Sequence, residues 1–156
     1  MATTSQNNQV FKFSDPLVYP NLTDGNSLIN QGDQVYFDTS ANVVKPVASN
    51  ANAATFAGVA GDRSWMNPYG TTLYPQGSIP VWKDGIFTFK TTAAETLEMG
   101  DAVYVGADAQ TVSDQDPGSG NIIGYVWLRP GQSSITGASG TNVEVLIKAL
   151  FPFTGI

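Results

Sequence analysis

From residue 31 onward, short apolar runs alternate with turn-forming Gly, Asn, Asp and Ser. The pattern predicts strands at 35–38, 43–47, 56–61, 79–83, 86–90, 102–105, 110–112, 122–128 and 143–150, all rich in the Val, Ile, Tyr, Phe and Thr that suit a pleated, half-buried surface. In the last of these, Val143, Val145 and Ile147 alternate with Glu144 and Lys148, giving one dry face and one wet face. Leu146 breaks that alternation and so faces either a partner or a second core. Asp84-Gly85, set between two β runs, predicts a two-residue type I′ hairpin. Helix is scarce. Thr92 to Glu95 has capping-box spacing with Gly100 as a stop, which predicts one or two helical turns dependent on tertiary packing; residues 50–55 suit a similar turn. The whole predicts an all-β fold, a small antiparallel β-sandwich or β-barrel with at most one or two short helical turns.

The pattern repeats. Gly32-Asp33-Gln34-Val35-Tyr36-Phe37 matches Gly100-Asp101-Ala102-Val103-Tyr104-Val105, and Phe56-Ala57-Gly58-Val59-Ala60 matches Ile122-Ile123-Gly124-Tyr125-Val126. Residues 32–60 and 100–126 therefore read as one unit used twice, either as two halves packed face to face or as two quarters of a barrel. A glycine inside such a run marks a bulge or a close backbone approach. Asp33 and Asp101 could be paired acids, but aspartate after glycine is favoured as a group that satisfies turn donors. Asp114, Asp116 and Asn121 suggest calcium. The twelfth position from Asp114, however, is Tyr125 and not the bidentate Glu that an EF-hand loop requires, so a solvated loop fits better.

Three segments lie outside this pattern. Residues 1–30 have no clean period, and Pro16 and Pro20 favour an extended N-terminal arm; an edge strand folded back on its own core is the open alternative. The β domain spans 31–150, and 151–156 form a short apolar tail. Within the domain, 62–78 is a long connection carrying Trp65, Met66, Tyr69 and Tyr74, whereas 131–141, rich in Gly, Ser and Thr, reads as an exposed flexible connection.

Composition removes several chemistries. Net charge is −6, yet only 13% of residues are charged, and there is no Cys and no His. This excludes a disulfide framework, a thiolate or imidazole metal site and Ser-His-Asp or Cys-His nucleophile pairs. An acidic chain with 7 cations among 156 residues is a poor nucleic-acid ligand. The polar start is no secretory signal, and no apolar run approaches the ~20 residues of a membrane span. No cofactor is expected, and what remains is a domain without obvious chemistry. The 15 alanines make one protomer's core modest and predict an oligomer that buries apolar surface between subunits.

The order Gly-Asp-x-Val-Tyr, Asn-Ala-Ala-Thr-Phe-Ala-Gly-Val-Ala, Val-x-x-Asp-Gly-Ile-Phe, Met-Gly-Asp-Ala-Val-Tyr-Val, Ile-Ile-Gly-Tyr-Val and Val-Glu-Val-Leu-Ile, over about residues 31–150, resembles the decoration (cement) proteins of tailed-bacteriophage heads. The resemblance implies a β-rich, non-enzymatic virion protein on the outer face of the capsid. Such proteins bind the major capsid protein and bridge capsomers as homo-oligomers, trimers above all with a dimer as the alternative. The aromatic-rich insertion at 62–78 departs from the pattern. Adhesive surface is expected at Val10, Phe11, Phe13, Leu17 and Tyr19 of the arm, at Trp65, Met66, Tyr69 and Tyr74 of the insertion, and at Phe151 and Phe153 of the tail. The alternatives are a carbohydrate-binding module using Trp65, Tyr69 and Tyr74 as a platform, a tail or fibre adhesion module, and a carboxylate-only hydrolase using Glu95 or Glu98. The last would need a second carboxyl about 5–5.5 Å away if retaining.

Overall fold

The computed structural model describes residues 9–11, 17–19, 27–61 and 79–149. Among them are thirteen strands: β1 (Gln9–Phe11), β2 (Leu17–Tyr19), β3 (Gln34–Asp38), β4 (Val43–Pro46), β5 (Phe56–Ala60), β6 (Ile79–Trp82), β7 (Asp84–Thr91), β8 (Glu95–Leu97), β9 (Ala102–Val105), β10 (Thr111–Ser113), β11 (Gly124–Trp127), β12 (Ile135–Gly137) and β13 (Asn142–Lys148). One 3-10 helix, Asn50–Thr55, supplies the helical turn expected there. The fold is all-β, as the sequence pattern predicts.

Five strands close into a small barrel in the order β7-β10-β9-β11-β13, with β13 returning to β7. Every pair in this ring is antiparallel except β10 with β7. Closure removes the open edges that invite unwanted strand pairing. A barrel this narrow is filled by its own side chains: Phe87 and Phe89 of β7, Val103 and Val105 of β9, and Val143, Val145 and Ile147 of β13 are buried in one cluster. The remaining large sheet has the order β2-β6-β5-β3-β4. Its two faces have different partners. Ile29, Val35, Val44, Ala57, Ala60 and Val81 form a small core of their own. Val47, Phe56 and Val59 instead join the barrel's cluster, with Tyr36 and Trp82 packed against it.

Polar contacts fasten sheet to barrel. The Gln34 N–H donates to the Ala109 carbonyl (2.7 Å), and Gln34 Nε2 donates to the Thr111 carbonyl (2.9 Å). Asn50, 3% exposed, accepts from the Val105 N–H through Oδ1 (2.9 Å) and from Asn121 Nδ2 through its carbonyl (3.0 Å). A buried amide bonded this fully fixes one relative placement, because any other would strand its polar atoms away from water.

The two related stretches build the same device. Gly32 and Gly100 have φ of 91° and 88°. In each unit the aspartate that follows folds back three residues: Asp33 Oδ2 accepts from the Asn30 N–H (2.8 Å) and Asp101 Oδ2 from the Glu98 N–H (2.7 Å). The turn then binds its own glycine-bearing strand through Gly32 N–H to the Ala60 carbonyl (2.8 Å) and Gly100 N–H to the Val126 carbonyl (3.0 Å). The reverse bonds run from the Ala60 N–H to the Asp33 carbonyl (2.8 Å) and from the Val126 N–H to the Asp101 carbonyl (2.9 Å). Gly58 stands opposite Val35, and Gly124 opposite Val103. Both aspartates satisfy turn donors, the role favoured from sequence.

Three local expectations are corrected. Asp84-Gly85 is not a hairpin: β6 pairs with β5 and β2, β7 pairs with β13, and the chain crosses between sheets at Lys83. The positive φ that Gly permits is present (131° at Gly85), but it twists the start of β7 and does not reverse the chain. The capping-box segment forms no helix, because Glu95–Leu97 pairs as β8 with β12; so short a helix cannot compete with tertiary strand pairing. The same pairing puts Ile135–Gly137 of the Gly/Ser/Thr-rich connection into a strand.

Candidate adhesive surface

Tyr125 and Trp127 are outward residues of β11, alternating with buried Gly124 and Val126. They are 48% and 36% exposed, high values for side chains of this size. Registered neighbours point to the same side of a sheet, so the pairing extends the surface. Tyr125 stands opposite Ala102 of β9 and Leu146 of β13, and Leu146 stands opposite Ile86 of β7. These register partners form an apolar row over four neighbouring strands, of which Tyr125 is exposed, Ala102 and Leu146 are half-buried and Ile86 is buried. Ile86 in turn pairs with Phe11 of β1, which lies along β7 beyond the barrel seam. Leu146, which lies outside the barrel core on the same side of β13 as Glu144 and Lys148, is the residue whose place in the alternation is irregular in the sequence.

Exposed Ile122 (44%) precedes β11, and exposed Met99 (52%) lies beside its end, its Sδ 3.1 Å from the Leu128 nitrogen. Charge lies directly beside these side chains. Opposite Trp127 is Glu144, which accepts from Arg129 Nε (2.8 Å) and Nη2. That carboxylate holds the Arg129 guanidinium above its ordinary value, chiefly by hydrogen bonding and then by charge attraction. The pair is internally neutralised. Tyr125, Trp127, Ile122 and Met99 are the large apolar side chains exposed among the described residues, and aromatic and thioether side chains are the kinds enriched in contact surfaces.

The expected adhesive residues fall differently. Val10 and Phe11 belong to β1, whose backbone pairs with β7; Leu17 and Tyr19 belong to β2, which pairs with β6 at the edge of the other sheet. Phe13, Trp65, Met66, Tyr69, Tyr74, Phe151 and Phe153 lie outside the described residues. Tyr125, Trp127 and Leu146 were not among the expected residues. The signal for them was present in the alternation Gly124-Tyr125-Val126-Trp127 together with the irregular Leu146.

Among the described residues the acidic side chains form no metal-binding group. Glu95 Oε1 accepts from Ser113 Oγ (2.6 Å), and Glu98 is exposed. Asp116 Oδ1 accepts from the Gly118 and Gly120 N–H groups (2.8 and 3.0 Å), closing its own loop. Among the described residues, no group of three or more acidic side chains could hold a metal ion, and no helix is long and apolar enough to cross a membrane. No known family and no curated protein matches this chain.

Proposed function

We propose that this protein is a structural adhesion module that binds the outer surface of a tailed-phage head, bridges capsomers and acts without catalysis. The observation that carries this reading is the outward pair Tyr125 and Trp127 of β11, with half-buried Leu146 opposite Tyr125 and exposed Ile122 just before the strand, on the outside of a closed barrel. The ordered resemblance over residues 31–150 points the same way. A shell packed with DNA fails when capsomers separate. A clamp that binds only the joined state stabilises that state by its own binding free energy. Weak individual contacts suffice, since linking several through one oligomer raises avidity by ~10²–10⁴. A barrel without open edges suits the task because its surface keeps its shape under load. The test is co-sedimentation of the purified protein with expanded, undecorated heads: saturable binding at an integer ratio to capsomers is expected.

A sugar-binding module is the second reading, favoured by Tyr125 and Trp127 standing two residues apart on one strand face, as a stacking platform requires. A glycan array separates the two readings. The clamp gives no signal there.

A further inference from the structure

Charge is spread unevenly along the chain. Residues 91–128 hold six acidic side chains and neither Lys nor Arg, whereas the rest of the chain holds seven acids and seven bases. The whole net charge of −6 therefore belongs to this one segment. The same segment supplies Met99, Ile122, Tyr125 and Trp127, the large apolar side chains exposed among the described residues. Strand pairing brings the two sets together. The Gly100 N–H donates to the Val126 carbonyl (3.0 Å) and the Val126 N–H to the Asp101 carbonyl (2.9 Å), so the turn carrying Glu98 and Asp101 lies beside Trp127. On the other flank half-buried Tyr104 of β9 stands opposite Ser113 of β10, whose hydroxyl donates to Glu95 Oε1 (2.6 Å). Carboxylates thus border the exposed aromatics on two sides. The first cation after this segment, Arg129, is already bound by Glu144 (Nε to Oε1, 2.8 Å).

We propose that this face receives a cationic segment of its partner, with Lys or Arg side chains seated against Tyr125 and Trp127 and Glu95, Glu98 and Asp101 as their counter-charges. Aromatic faces attract ammonium and guanidinium groups, and carboxylates beside them add charge-assisted hydrogen bonds. An acidic partner would meet like charge. A purely apolar one would take carboxylates out of water with nothing to pair them, which costs more than the aromatic contact returns. Arg129 shows the same chemistry within the chain, since its guanidinium rests on the carboxylate that stands opposite Trp127. A segment that concentrates the net charge also steers a basic partner towards the aromatic side chains before contact. The inference rests on reading this face as the one that meets the head. It adds the chemistry that the head's outer surface presents there, a segment rich in lysine or arginine.

The test is binding of the full chain to expanded, undecorated heads at ~50 and ~500 mM NaCl, for wild type, Glu98→Lys and the control Thr39→Lys/Ala41→Lys. Both variants make the chain two charges less negative, but the control's lysines stand in the exposed turn between β3 and β4. Glu98→Lys is expected to weaken binding about tenfold at the lower salt and the control less than about twofold, while the higher salt weakens wild type about tenfold. A fluorescent Arg-Gly repeat peptide, set against a Glu-Gly repeat, supplies a second readout that needs no head. The Arg-Gly peptide should bind wild type about tenfold more tightly than it binds Glu98→Lys, and the Glu-Gly peptide should not bind. Where heads are bound, equal losses in the two variants or indifference to salt overturns the inference and leaves the clamp standing. Where heads are never bound, the clamp fails and the peptides decide. An Arg-Gly peptide that tells Glu98→Lys from the control upholds the cationic partner, and one that binds both alike or not at all overturns it.

Discussion

Gly58 and Gly124 hold matching places in the two units, and each is pressed against the backbone of a neighbouring strand. A Cβ built at Gly58 would lie 2.1 Å from the Trp82 carbonyl oxygen, and one at Gly124 would lie 2.4 Å from that of Leu146. Neither carbonyl can withdraw without breaking strand pairing. Gly58→Ala and Gly124→Ala should each destabilise the fold by roughly 2–4 kcal/mol in urea unfolding, with Gly58→Ala the worse because its φ of 135° adds strain. Gly118→Ala, at positive φ with open space around it, should cost only about 1 kcal/mol.

The two turn aspartates should separate by burial. Asp33 is 1% exposed and accepts from both the Asn30 N–H and Gln110 Nε2 (2.8 Å each), tying the first unit to the barrel. Asp101 closes only its local turn, near the surface. Asp33→Ala is expected to cost about 2–3 kcal/mol and Asp101→Ala about 0.5–1 kcal/mol by the same unfolding measurement.

Gln34→Leu tests whether the buried amide serves stability. Among the described residues its Oε1 has no hydrogen-bond partner. The Thr111 carbonyl it donates to also accepts from the Gly106 N–H (2.9 Å), so the substitution strands no acceptor. Stability should change by less than ~1 kcal/mol in either direction, since an orphaned buried oxygen is removed along with one bond. A larger loss would show that the amide fixes the docking of sheet on barrel.

Asp38 supplies a pH signature. Hydrogen bonds from Lys45 Nζ (2.8 Å) and the Ser40 hydroxyl (2.6 Å) hold its carboxyl well below the usual carboxylate range. The folded value lies below the unfolded one, so the contribution is complete above the unfolded pKa of about 3.9 and is lost as pH falls below it towards the folded value. The difference in Tm between wild type and Lys45→Met should be constant near neutral pH and close below about pH 4. A gap unchanged on acidification would contradict the assignment.

The strands of 31–150 could be read from the sequence because Val, Ile, Tyr and Phe runs end at glycine and aspartate turns whose side chains make the expected local bonds, as at Asp33 and Asp101. Asp84-Gly85 misled because local chemistry specifies a positive φ, not the strand that will be the next neighbour; that choice lies with Ile147, which pairs with Gly85 from more than sixty residues away. Glu95–Leu97 and Ile135–Gly137 escaped notice because each is three residues long and gains its order from the other. The outer patch was readable only in part. Leu146 was visibly irregular, but its meeting with Tyr125 depends on a register between strands that periodicity along one strand does not contain.

The central claim is adhesion to a phage head, and co-sedimentation with expanded, undecorated heads tests it most directly. The account predicts saturable binding at a fixed integer ratio to capsomers, with greater resistance of the heads to heat. Protein that remains in the supernatant at saturating concentration, leaving head stability unchanged, would contradict it.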